Sequence, residues 1–136
     1  MKKVRLVAIT TLLAFTSINQ SNAAILGESL NGKTINLKIN TTFNLKLSST
    51  YWQLANLKSN DFITQIGAET VTLVRPGPSA PAGCKHPGSG CGTISWKFKA
   101  TKTGTTKISA FRSSCGEALK CTAKEQNFQL TIKVIN

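Results

Sequence analysis

Acidic side chains are scarce in this chain, and so is histidine. Its 136 residues hold 5 Asp and Glu against 17 Lys and Arg, with 1 His. General acid–base catalysis needs positioned carboxylates or imidazoles. The candidates are His86, Glu28, Asp61, Glu69, Glu117 and Glu125. No two of these carboxylates form a paired motif. His86 lies beside Lys85 in a Pro- and Gly-rich stretch with no acid nearby in sequence, which argues against a Ser-His-acid triad. A phosphate cradle is also missing, since Gly88-Ser89-Gly90-Cys91-Gly92 leads into a strand pattern and opens no helix. The sequence therefore predicts a binding protein, with no enzyme activity, no cofactor and no metal.

Other absences narrow the class. Helical periodicity is almost missing. All 4 Pro, and five of the 10 Gly, fall within residues 75–92, which predicts one long surface loop. Beyond the N-terminus no apolar run approaches the length of a membrane span. The N-terminus itself has Lys2, Lys3 and Arg5, an apolar stretch over 6–15, and Ser21-Asn22-Ala23. That pattern predicts a signal peptide over 1–23, cut after Ala23, and a secreted or periplasmic single domain over 24–136. No Cys stands at the cleavage site, so a lipid anchor is not expected.

The 4 Cys all lie in the predicted mature part: Cys84, Cys91, Cys115 and Cys121. An even count in an exported chain predicts disulfides. Both spacings are short and neither matches the Cys-x2-Cys ligand spacing of zinc sites. Two local staples are predicted, Cys84–Cys91 and Cys115–Cys121, each bracketing one loop.

The remaining pattern is β. In Gly92-Thr-Ile-Ser-Trp96-Lys-Phe98-Lys-Ala100, the residues Ile94, Trp96, Phe98 and Ala100 point one way, and Thr93, Ser95, Lys97 and Lys99 the other. Thr101-Lys102-Thr103-Gly104 makes a short turn, and a second strand runs to Phe111. Alternation also marks 34–39, 43–47, 70–74 and 128–134, with a turn at Asn40-Thr41-Thr42. Residues 54–70 are ambiguous, with Ser59-Asn60-Asp61 able to cap a helical turn. Residues 113–126 read as a second loop. The fold expected is an all-β, antiparallel sandwich of about six to eight short strands.

Removing Lys2, Lys3 and Arg5 lowers the formal charge from +12 to +9. A basic balance attracts nucleic acid, anionic glycans, phospholipid headgroups or an acidic protein, and names none of them. Lys97 and Lys99 alternate with Trp96 and Phe98, so the aromatic residues face away from the basic row and offer no base-stacking platform. Specific nucleic-acid binding is not expected.

From Gly92 to Gly104-Thr105, and again over 128–132, the chain resembles the chagasin-like inhibitors of papain-like cysteine proteases. The resemblance covers roughly 34–52 and 88–135. It implies an immunoglobulin-like sandwich, a monomer, and three loops at one end that wedge into a protease cleft. The first family loop reads Asn-Pro-Thr-Thr-Gly-Tyr-x-Trp; here Ser48, Ser49, Thr50, Tyr51 and Trp52 stand in its place, about three tip residues short. Trp52 serves equally as a loop residue or as part of the core. The second, a Gly-x-Gly-Gly loop, is matched by Gly88, Ser89, Gly90, Cys91 and Gly92. The third, Arg-Pro-Trp, aligns with Ser114-Cys115-Gly116, while Arg112 lies two residues early and the tryptophan is missing. The resemblance thus implies protease contact through the first two segments and through Arg112, Ser113 and Ser114. The alternative is a non-inhibitory exported sandwich that binds an acidic partner or an anionic surface.

Overall fold

A computed structural model describes residues 23–55, 62–80, 90–115 and 120–136. Residues 1–22 of the signal peptide predicted over 1–23, the possible cap at Ser59-Asn60-Asp61, and Cys84, His86, Gly88, Ser89 and Gly116 lie outside the described residues.

The described residues hold nine strands: β1 (Ala24–Leu26), β2 (Thr34–Lys38), β3 (Thr42–Ser48), β4 (Gln53–Leu54), β5 (Ile63–Gln65), β6 (Thr70–Leu73), β7 (Gly92–Ala100), β8 (Gly104–Phe111) and β9 (Asn127–Ile135). One helical turn, α1 (Ala123–Gln126), precedes β9. The strands form two sheets. One runs β1-β3-β7-β5, with β6 also paired to β7; the other runs β2-β9-β8-β4. β5 and β6 lie end to end along the same side of β7, facing Phe98 to Ala100 and Gly92 to Ser95 respectively.

Each long strand buries alternate residues, as its sequence dictates. In β7, Ile94, Trp96, Phe98 and Ala100 are buried; their partners across β3 are Leu47, Leu45 and Phe43, with Phe43 opposite Phe98. Those two rings stack with centroids 5.4 Å apart. Ile108 and Ala110 of β8 and Phe128, Leu130, Ile132 and Val134 of β9 supply the other half of a single core. Lys97 and Lys99 are exposed on the opposite face of β7.

The expected all-β sandwich is found, with its predicted long strands, but its sheets are mixed rather than antiparallel. β1 pairs in parallel with β3, and β2 with β9. Alternation reports which face of a strand is buried and carries no information about the direction of its partner. Both parallel pairs involve a strand from the start of the described residues, placed beside a segment that does not follow it directly in sequence. The strand count exceeds the expected six to eight because β1, β4 and β5 hold only two or three residues each, too few to show a period. The region 113–126 is more than a loop. It carries a bridge between Ser114 and Lys120, the Cys115–Cys121 disulfide with its Cα atoms 5.1 Å apart, and α1. Thr122 and Glu125 cap α1 reciprocally, side chain to backbone in each direction. The Thr-x-x-Glu signature of this capping box is visible in the sequence.

Candidate functional site: one end of the sandwich

Strand directions bring three segments to one end. β3 finishes where β7 begins, with Ser48 opposite Thr93. β8 finishes opposite the start of β4 and the start of β9, with Phe111 facing Gln53 and Asn127. β6 finishes opposite Gly92. The chain therefore leaves or enters the sheets here at 48–52, 74–92 and 112–126, and each expected loop lies in one of these connections.

The first two segments are joined through backbone. The Ser49 N–H donates to the Gly92 carbonyl and the Thr50 N–H to the Gly90 carbonyl, both at 2.9 Å. Ser49 takes a φ of 97°, and its hydroxyl accepts from the Tyr51 N–H at 3.2 Å, which closes the turn tightly. The Tyr51 ring lies where a side chain at Gly90 would have to go, and Gly90 has a φ of 65°. Both facts call for glycine at 90. The Ser48 N–H donates to Glu28 Oε1 at 2.9 Å, so the short 3-10 turn Glu28–Leu30 supports the start of this segment.

Trp52 lies beneath the loops. It is 4% exposed, and its Nε1–H donates to the Ser48 carbonyl at 3.0 Å. Of the two roles the sequence left open, the structure gives it the core one. Its indole holds the loop base and offers no surface to a partner. Above it stands Arg112, whose guanidinium carbon is 4.6 Å from the ring centroid. This is a cation–π geometry. Arg112 also donates from its N–H to the Gln126 carbonyl at 2.9 Å and from Nε to the Glu125 carbonyl at 3.0 Å. Arg112 thereby ties the first segment to the third. The Glu125 carboxyl is held below the ordinary carboxylate range, first because the Thr122 N–H and hydroxyl donate to its ionised form, and further by the Arg112 charge.

Among the described residues, Ser48, Ser49, Thr50, Tyr51, Gly90, Cys91 and Gly92 thus form one knit patch. Arg112 joins it through Trp52, with Ser113 and Ser114 following. Cys91 is disulfide-bonded; its expected partner Cys84 is outside the described residues. The sequence could not show the tie between Arg112 and Trp52, because cation–π pairs between residues 60 apart leave no local pattern. The patch presents backbone, hydroxyls, a phenol and a guanidinium. Its chemistry is that of recognition by shape and hydrogen bonding.

No family model matches the chain, and no curated protein matches it in sequence. Solved structures do. The crystal structure of EhICP2, a cysteine protease inhibitor from Entamoeba histolytica, superposes with a TM-score of 0.56 at 15% identity, over 83% of this chain and 95% of that one. The solution structure of amebosin superposes with a TM-score of 0.53 at 16% identity, over 83% of this chain and 98% of that one. At such identities the likeness is one of fold, and this chain has the fold of a known cysteine protease inhibitor, as the resemblance implied.

Proposed function

We propose that this protein is an exported inhibitor of papain-like cysteine proteases that fills the active-site cleft with the three segments at one end of its sandwich. The observation that carries this reading is the knit patch itself, built from backbone hydrogen bonds and a close glycine contact on a fold shared with a protease inhibitor. A rigid wedge of this kind binds without losing loop entropy on contact. Glycine at 90 and 92 lets the Tyr51 ring and the 72–73 backbone pack directly against this segment, which fixes the shape of the wedge. No covalent step is involved, and inhibition is occlusion. Export through a cleaved signal peptide fits the reading, and the Cys115–Cys121 disulfide suits an oxidising compartment. No helix among the described residues is long and apolar enough to cross a membrane.

The test is inhibition of papain by the mature domain. Gly90→Glu places a charged side chain against Tyr51 at a positive φ. It is expected to weaken inhibition at least tenfold, while circular dichroism shows the strand content retained. Native inhibition that survives this change unaltered would show that the contact lies elsewhere.

A second reading keeps a specific observation. Register places Lys46, Lys97 and Lys99 on the solvent face of one sheet, and Lys38, Lys107 and Lys133 on that of the other. The described carboxylates Glu28, Glu69 and Glu125 all lie outside the strands. Two basic faces without acids favour an anionic surface or acidic partner. That reading requires retention on heparin well above physiological salt, where scattered charge alone is screened within about 8 Å.

A further inference from the structure

β6 ends beside the knit patch and carries two exposed apolar side chains. Val71 is 49% exposed and Leu73 is 75% exposed. They stand opposite Ile94 and Gly92 across the ladder, so they share the core-facing side of the sheet. The core nevertheless does not include them. Their backbone is also turned outward. The Val74 N–H donates to the Cys91 carbonyl at 3.2 Å, which makes Val74 and Cys91 a hydrogen-bonded pair. By alternation, Thr72 and Thr70 follow as bonded pairs. Val71 and Leu73 then direct their N–H and C=O groups away from β7. On that side β6 has no neighbouring strand among the described residues.

An exposed apolar edge strand is normally blunted by charge or proline because it recruits other chains. The strand Thr70-Val71-Thr72-Leu73 carries neither. A second copy of the protein is a poor occupant. The whole chain has a formal charge of +12, or +9 without Lys2, Lys3 and Arg5, and like net charge opposes self-association. The strip is instead continuous with the patch, since Leu73 faces Gly92 and Val74 bonds Cys91.

We propose that β6 is a fourth contact strip of the inhibitor. Leu73, with Val71 beside it, supplies the apolar anchor, and the outer edge, which no strand among the described residues pairs, accepts an extended backbone segment bordering the protease cleft. The proposal rests on the inhibitor reading above.

The experiment compares papain inhibition and dissociation rate for the native mature domain and three variants: Leu73→Thr with Val71→Thr, Gly90→Glu, and Ile25→Thr. Threonine keeps the β propensity of the strand. Ile25 is 70% exposed on the opposite edge of the same sheet and serves as the control. The double β6 variant is expected to dissociate at least tenfold faster, with Ile25→Thr unchanged. Loss of inhibition in Gly90→Glu but not in the β6 variant overturns the strip and leaves the three-segment wedge standing. A native protein that inhibits nothing overturns both. A concentration-dependent native dimer that the β6 variant abolishes also overturns the proposal, by making the edge a self-interface.

Discussion

Phe98→Ala is expected to lower stability by about 3–5 kcal/mol, the usual cost of deleting a fully buried phenylalanine. Phe98 is fully buried in the second half of β7 and stacks on Phe43 across the β3 ladder. Its removal deletes apolar burial, empties a volume that paired strands on both sides cannot close, and forfeits an aromatic pair worth about 0.5–1.5 kcal/mol beyond area. A domain of this size has about 5–15 kcal/mol in total, so the variant sits near the edge of folding. Denaturant titration reads the change as a lower midpoint at unchanged slope. A shift below about 1 kcal/mol would mean that β7 is not the spine of the core. The same strand begins at Gly92, so destabilising it loosens the patch as well.

Gly92→Ala is expected to damage fold and patch together. Gly92 has a φ of 141°, a conformation in which a side chain is strained, at roughly 1–3 kcal/mol. A Cβ there would also run into the Thr72 carbonyl oxygen, with Thr50 Cγ2 at 3.0 Å and Leu73 Cα at 3.1 Å. Two of these three neighbours are backbone, so relief requires β6 to part from β7 or the 48–52 segment to lift. Gly67→Ala is the comparison. It has a φ of 73° with nothing within 4 Å of its Cβ position, so it carries a milder left-handed strain and no collision. The prediction is a clearly larger midpoint loss for Gly92→Ala than for Gly67→Ala. Faster amide exchange should appear at Ser49 and Val74, whose N–H groups bond the Gly92 and Cys91 carbonyls. Equal losses in the two variants would show that the close approach at Gly92 is not tight.

The two variants probe different kinds of information. The role of Phe98 was legible in the sequence because alternation over nine residues states which side is buried, and burial follows from hydrophobicity alone. The same pattern marked β2, β3, β8 and β9, and glycine marked the turn into Gly104. The local spacing of Cys115 and Cys121 marked their disulfide, because a short ring closes with little chain rearrangement. The glycine-rich segment and the Tyr51-Trp52 pair became candidates only through their resemblance to the loops of the chagasin-like inhibitors, since nothing in their own periodicity marks them.

Tertiary structure decided the rest. Strand direction was decided there, because pairing partners are chosen across distances that a window of sequence does not span; hence the parallel β1–β3 and β2–β9 pairs. Trp52 was assigned to the core by a carbonyl four residues back and a guanidinium sixty residues on. The exposure of Leu73 was decided by where the second sheet fails to cover β6, a property of two surfaces meeting. An alternating strand tells which face seeks burial; only the packed molecule determines which residues on that face find it, and those left uncovered are the ones available to a partner.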